Sequence, residues 1–462
     1  MNKEIIIIGG GPGGYVAAIR GAQLGAKVIL IEKDKIGGTC LNYGCVPTKS
    51  LYKNAEVLRT ISNSKEYGVK IDNFLIDIEG IQQRKARIVN QLVEGIEKLL
   101  SANKIEVIRG RAEFIDRHQI KVTKDDNSTL LLESENTIIA AGSKAQLPPI
   151  KGIDLEGVYT SREALSFTSL PKRLAIIGGG VIGMEFACIF SSFGVEVSVI
   201  EYEKQILPFL DKDVSIRLAS SLKKEGLSIH TGSKLLEIEQ NNFGLLLRAE
   251  GKKGEVSIEV DEVLVATGRI SEIDGLNLDS TGIISNKSIE VDKNFMTNVE
   301  GIYAIGDVNG KSMLAHSASN QGITVIDHIM GVENNIDHNL VPNCIFTFPE
   351  VGIVGHTESQ LKGQGIDYKS SKFQFPANAK ALAMGEEGFV KVISDEDGYL
   401  LGVQIMGPHA TELIHEGALA IKNKLNIKDI TTTIHGHPTL SETFVEACLG
   451  IDGEAIHGVA RR

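Results

Sequence analysis

Apolar and polar positions along the chain repeat one arrangement twice. Residues 5–14 read IIIIGGGPGG and residues 174–183 read LAIIGGGVIG. In each copy a short apolar run breaks on a glycine cluster and a helical pattern follows. A Gly-x-x-Val step then restarts the chain, and a second apolar run ends on glutamate. Gly9, Gly11, Gly14, Gly25 and Glu32 correspond to Gly178, Gly180, Gly183, Gly194 and Glu201, every pair 169 apart (178 − 9 = 201 − 32 = 169). Short apolar runs bounded by glycine predict buried strands, and the 3.6-residue pattern between them predicts a helix. Two strand–turn–helix–strand units of one kind are therefore expected.

The turns carry chemistry. Each has the form G-x-G-x-x-G: the first glycine makes the bend, the second admits a pyrophosphate, and the third lets helix pack on strand. The helix start then offers free N–H groups to phosphates. Glu32 and Glu201 each lie 23 residues beyond the first glycine (32 − 9 = 201 − 178 = 23), where a carboxylate accepts ribose hydroxyls. Two dinucleotides are expected. Glu201 is followed by Tyr202, Glu203 and Lys204, so a 2′-phosphate would meet two carboxylates and one lysine, which favours NAD over NADP. Segments that close the two units also recur, as TIIAAG ending at Gly142 and VLVATG ending at Gly268. A third such segment, GIYAIGDV over 301–308, sets Asp307 at the end of a buried strand. There it would orient a polyol hydroxyl or cap a helix.

Composition narrows the class. A chain of 462 residues exceeds a single core and predicts two to four domains. Glycine is abundant at 49 and proline scarce at 11, which fits tight strand-to-helix turns better than disordered linkers. A net charge of −11 argues against nucleic-acid binding, and no apolar run reaches membrane-spanning length. The opening Met1-Asn2-Lys3-Glu4 and its four isoleucines do not resemble a signal peptide, so a cytoplasmic protein is expected. Five cysteines in so long a chain do not form a secreted disulfide framework.

Two of those cysteines stand apart. Residues 37–50 read GGTCLNYGCVPTKS, with Cys40 and Cys45 separated by four residues. A disulfide closing so short a loop stabilises the fold little and suits opening and closing. Pro47 predicts the first turn of a helix, which puts Cys45 where the helix dipole favours thiolate, with Lys49 one turn on. No histidine or third cysteine is near enough in sequence for a metal site. Cys188, Cys344 and Cys448 have no motif around them and read as structural. Far along the chain, HGHPTLSE over 435–442 sets His437 five residues before Glu442. A proline-initiated helical turn would return the carboxylate to the imidazole and leave the other ring nitrogen as a base. In isolation such a pair is more often structural; beside a dithiol site it fits the need for a base. The C-terminal region, with strands at 388–394 and 399–406 and a helix at 412–422, reads as α+β.

Taken together, GGGPGG, GGTCLNYGCVPTKS, IIGGGVIGMEFA, ATGR, GIYAIGDV, LAHSASNQG, FPEVGIVG and HPTLSE resemble the pyridine nucleotide–disulfide oxidoreductases over essentially the whole chain. HPTLSE and LAH point to the dihydrolipoyl dehydrogenase branch. The resemblance implies an α/β fold with two Rossmann-like domains and a C-terminal α+β dimerisation domain. Residues 1–143 would bind FAD, 144–268 would bind NAD, 269–338 would be a central domain completing the FAD site, and 339–462 the dimer interface. It implies Cys45 against the flavin, Cys40 toward the substrate, and Lys49 with Glu185 near flavin N5. Asp307 and Ala315 would lie at the flavin. His437 of the other subunit, paired with Glu442, would be the acid/base of an obligate homodimer. The implied reaction oxidises the dihydrolipoamide of lipoyl-carrying proteins in 2-oxo acid dehydrogenase or glycine cleavage complexes. The alternative is an NADH-dependent reductase of another disulfide. Tyr43, Gly436 and the ending IHGVARR depart from the usual branch pattern.

Overall fold

In the computed structural model, which describes residues 3–252 and 254–458, the first isoleucine run becomes the central strand, Glu4–Ile8, of a parallel sheet. Its strand order is Ile302–Ala304, Asn136–Ile139, Glu4–Ile8, Lys27–Glu32, Glu106–Arg109. Ile5, Ile6 and Ile7 are fully buried because helices and a second layer cover both faces of the sheet. The second copy has the same order: Val158–Thr160, Glu262–Val265, Arg173–Ile177, Glu196–Glu201, Ser228–Thr231. Each sheet also carries a three-stranded antiparallel meander before its closing strand, over 111–133 in one and 234–260 in the other. The repeat read from glycine spacing is thus a repeat of architecture. The first sheet takes its fifth strand from far downstream (302–304), and the helix Ala315–Met330 that follows packs on the helix Pro12–Gln23.

The copies differ where the second strand crosses to the third. In the second unit residues 202–227 make that crossing with one helix, Lys212–Lys224. In the first, residues 33–105 hold a short helix Gly38–Tyr43, a long helix Cys45–Ser62 and a third, Ile78–Ala102. The cysteine segment is an elaboration of one crossover. Gly44, with φ −147° and ψ −111°, breaks the short helix from the long one, so Cys45 becomes the first residue of an 18-residue helix.

The C-terminal residues form an antiparallel sheet in the order Asn343–Ile345, Val351–Gly355, Leu400–Met406, Phe389–Ser394, Lys369–Gln374. The helix Ala410–Lys422 packs on it. The two strands and the helix expected here lie within two residues of their predicted bounds. The long helix Cys45–Ser62 ties this unit to the second sheet. Its Leu51, Tyr52, Ala55 and Leu58 share one core with Met184–Phe190 of the second unit and with Ile345, Val351 and Met406. Tyr52 stacks on Phe348 at 4.5 Å, meets Phe346 edge-on at 5.6 Å, and donates to the Thr347 carbonyl at 3.2 Å. Among the described residues no helix is long and apolar enough to cross a membrane. The first two residues and 459–462, which include the end of the atypical IHGVARR, lie outside the described residues.

Candidate functional site

The two glycine turns open on one cavity of about 1850 Å³. Small-molecule pockets usually run to about 300–1,000 Å³, so this one has room for two large ligands. Of the expected cofactor-binding and catalytic residues, all line it except Gly14, Gly183, His437 and Glu442.

Both turns are closed by the same bonds. The Gly10 amide donates to Glu32 Oε2 at 2.6 Å and the Asp34 amide to Oε1 at 2.7 Å. In the second copy Gly179 donates to Glu201 Oε2 at 2.5 Å and Glu203 to Oε1 at 2.6 Å. Each carboxylate oxygen keeps a free lone pair, and both acids line the cavity. The glycines divide by what demands them. A Cβ on Gly14 would lie 1.8 Å from the Gly9 carbonyl oxygen, and one on Gly183 would lie 1.9 Å from that of Gly178. Gly9 and Gly178 have φ of 108° and 110°. Gly11 and Gly180, by contrast, have ordinary φ of −71° and −77°. A Cβ would meet nothing nearer than 3.9 Å at Gly11 and nothing within 4 Å at Gly180. The chain itself has no need of glycine there; a pyrophosphate lying on the helix start does. The residues present therefore fit two dinucleotides. Beside Glu201 in the chain the lining residues are Tyr202 and Glu203, and Lys204 is not among them; Lys234, next to the Ser233 whose amide donates to the Glu201 carbonyl, also lines the cavity.

Cys40 and Cys45 both face this cavity as free thiols within hydrogen-bonding reach of each other. The bond from Cys40 is the main influence holding the Cys45 thiol down to about 7; burial opposes it and the Lys49 ammonium assists. Cys40, which gives that proton, is pushed far up by the same bond and by burial. The pair thus loses its first proton near neutrality, from the sulfur at the helix start. One turn along, Lys49 Nζ reaches both oxygens of the buried Glu185 at 2.9 Å and lies 4.4 Å from the Phe346 ring centre. Glu185 Oε1 also accepts the Phe346 amide at 3.1 Å. The ion pair therefore joins all three units at the cavity wall.

Asp307 stands one turn beyond its strand, not at its end. Gly306, with φ 71°, turns the chain into a 3-10 helix, Gly306–Asn309, whose cap residue is Ile305. The capping alternative is thereby removed. The Asp307 carboxylate accepts Ser143 Oγ at 2.5 Å, and Arg269 Nε donates to the same hydroxyl at 2.7 Å. Ser143 and Arg269 follow Gly142 and Gly268, the equivalent glycines of the two closing segments, so the repeat itself was the signal for a contact that sequence reasoning missed. Ala315 is the first residue of its helix, at the cavity edge. Tyr43 lies under the Arg162 guanidinium, 3.6 Å from its ring centre, and donates to Asp34 at 3.3 Å.

His437 and Glu442 meet elsewhere. His437 Nδ1 lies 2.9 Å from Glu442 Oε1, while Glu442 Oε2 accepts the Thr439 amide at 2.8 Å. Slight burial opposes ionisation of Glu442, but the Thr439 amide and the His437 ring hold its carboxyl below the usual range. The expected helical turn at Pro438 does not form. The helix starts at Glu442, and a bend over 437–441 brings the two side chains together. The His437 side chain is 73% exposed, outside the cavity that holds the thiols.

Two family models match this chain in succession. Residues 3–322 match the pyridine nucleotide-disulphide oxidoreductase model and residues 341–448 match the dimerisation domain of the same group. The chain belongs to the pyridine nucleotide-disulphide oxidoreductase family. Among its relatives, a dihydrolipoyl dehydrogenase of Bacillus subtilis is 41% identical, covering 98% of this chain and 99% of that protein. The mitochondrial dihydrolipoyl dehydrogenase of Pisum sativum is 38% identical over 99% of this chain and 93% of its own length. The crystal structure of LpdA from Mycobacterium tuberculosis superposes with a TM-score of 0.90 at 28% identity, covering 96% and 99% of the two chains. The HOCl-induced flavoprotein disulfide reductase RclA of Escherichia coli gives 0.86 at 29% identity, covering 96% and 99%.

Two measurements test this geometry. Gly14→Ala should cost about 1–3 kcal/mol in chemical denaturation, since backbone must move. Gly11→Ala should leave the denaturation midpoint of the flavin-free protein unchanged, yet the variant should retain less bound flavin per polypeptide; equal loss of flavin-free stability from both substitutions would contradict this division of the glycines. In ¹³C-cysteine NMR of the reduced protein, Cys45 should titrate near pH 7, and Cys40→Ala should move that titration upward.

Proposed function

We propose that this chain is a dihydrolipoyl dehydrogenase that oxidises protein-bound dihydrolipoamide with FAD and NAD+. Supporting the reading most directly is the polarised dithiol, Cys45 held near 7 by Cys40, set between two dinucleotide turns in a chain 41% identical to an enzyme of that name. Residues 1–143 with the 269–338 segment would hold FAD through Gly11, Glu32, Lys49, Asp307 and Ala315. Residues 144–268 would hold NAD+ through Gly180 and Glu201, and residues 339–462 would form the dimer. When bound, the flavin accepts the electron pair of the dithiol and NAD+ carries it away as hydride.

The chain's own residues set up the exchange. In the oxidised enzyme Cys40 and Cys45 are joined as a disulfide. His437 takes the proton of a dihydrolipoyl thiol, and the resulting thiolate attacks Cys40 Sγ. The Cys40–Cys45 bond breaks as the mixed disulfide forms, and Cys45 leaves as the thiolate its surroundings favour. The second substrate thiol then attacks its own sulfur in the mixed disulfide, which frees Cys40 and releases lipoamide. Glu442 holds His437 in the tautomer that leaves Nε2 as the base. Because the dyad lies outside the cavity of its own chain, it serves the Cys40 of a second copy. The partners are lipoyl-carrying proteins of the 2-oxo acid dehydrogenase or glycine cleavage class, and the compartment is the cytoplasm.

With dihydrolipoamide and NAD+, Cys45→Ser should abolish NADH formation, and His437→Gln should slow it by about 10²–10⁴-fold. No turnover of dihydrolipoamide by the parent protein, with turnover of glutathione disulfide, coenzyme A disulfide or mercuric ion by NADH, would sink the assignment. Co-expression of Cys45→Ser with His437→Gln should restore activity. One of the two sites in the mixed dimer then has both an intact dithiol and an intact imidazole. Without recovery, the dyad does not act across subunits.

A further inference from the structure

Lys391 has no exposed surface, yet nothing in the reaction uses it. It stands on the strand Phe389–Ser394 beside Gln404 of the neighbouring strand, which is equally buried. Its Nζ reaches Asp211 Oδ2 at 2.8 Å, Glu358 Oε2 at 3.0 Å and Asp213 Oδ1 at 3.3 Å. Burial works against the charge, but Asp211 and Glu358 outweigh it and the ammonium is held above its ordinary range. Asp211 is gripped from every side. Its Oδ2 also accepts Gln404 Nε2 at 2.5 Å and the Glu358 amide at 3.2 Å. Its Oδ1 accepts the Ser359 amide at 3.2 Å, and its own amide donates to Gln404 Oε1 at 3.3 Å. Well-packed apolar side chains stabilise a core as well as a buried ion pair does, so this cluster calls for an explanation other than stability.

The segment that Asp211 terminates supplies one. Leu207 is fully buried with φ 48°, a left-handed conformation that a leucine keeps only when its surroundings over-determine it. Its amide donates to the Gly179 carbonyl at 2.9 Å, inside the second glycine turn. Leu210 bonds back to the Leu207 carbonyl at 3.0 Å, and Ser215 Oγ holds the Ile206 carbonyl at 2.6 Å. Pro208, between them, lines the cavity. A short rigid bracket therefore runs from the C-terminal sheet through Asp211 and Leu207 to the turn that would carry the NAD+ pyrophosphate.

We propose that Lys391 and Asp211 are positioning residues for NAD+, holding the second glycine turn in its binding geometry from the C-terminal sheet. This rests on the NAD+ reading of that turn. Coupling of this kind is reciprocal: if the cluster holds the turn, NAD+ on the turn must steady the cluster. A mere staple between units would show no such exchange.

Hydrogen exchange of the unmodified holoenzyme, with and without saturating NAD+, tests this directly. NAD+ should slow exchange in peptides covering 178–183, 205–211 and 357–361. Protection of 178–183 alone overturns the proposal and leaves the NAD+ site standing; protection of none of the three overturns the NAD+ site itself. Asp211→Asn keeps the shape and removes the charge. It should raise the KM for NAD+ by about fivefold or more while the KM for dihydrolipoamide stays within twofold. Equal change in both KM values, or none, overturns the proposal. Should the variant not fold, the exchange experiment decides alone.

Discussion

The helix Cys45–Ser62 is the element on which the rest of the site depends. Its first residue is the low-pKa thiol, its fifth the ammonium paired with Glu185, and its eighth the tyrosine stacked in the core shared with the C-terminal sheet. Fully burying a side chain such as Leu51 stabilises by roughly 1.5–3 kcal/mol, and this helix buries a whole face of them. The thiol is therefore held by packing several turns away. The electrostatics then follow from position. Lys49 assists the Cys45 thiolate, and Glu185 opposes it more weakly. The larger influence is Cys40, which donates its proton toward Cys45. The interaction between the two sulfurs is thus what makes the dithiol asymmetric.

Duplication supplies the frame around that helix, and the two copies have been put to different use. Glu32 and Glu201 close their turns by the same pair of amides at matching distances. The first task of each acid is thus structural, and ligand recognition uses what lone pairs remain. The divergence lies in the crossover after each acid. One copy returns directly to the sheet through a single helix. The other extends over 33–105 and delivers the thiols to the mouth of its own turn. Ser143 and Arg269, equivalent by repeat, meet across the join between the copies and hold Asp307 in place.

Legibility in the sequence tracks how local each constraint is. Gly14 and Gly183 were readable because the clash that demands glycine is with a carbonyl five residues away. His437 and Glu442 were readable because a bend spans five residues, although the bend is not the helical turn the proline suggested. Lys49 and Glu185 lie 136 residues apart, and only the family resemblance linked them. Asp307 was placed one turn early, because the apolar run GIYAI does not disclose that Gly306 takes a positive φ. Lys391 was invisible. In FVKVIS a lysine between valines reads as the solvent side of an alternating strand, and only the approach of Asp211 from another unit makes that face an interior.

The proposed site is also divided between two places on the chain. The thiols sit inside the cavity, while the imidazole–carboxylate pair stands on an outer face with Ile434 fully exposed beside it. Both features lie within residues 341–448, which match the dimerisation domain of the family. Separating base from disulfide along the chain has a physical consequence for an enzyme of this kind. If His437 is the base, as proposed, a single copy holds the dithiol apart from it, and thiol exchange would need the assembled dimer, where both halves meet.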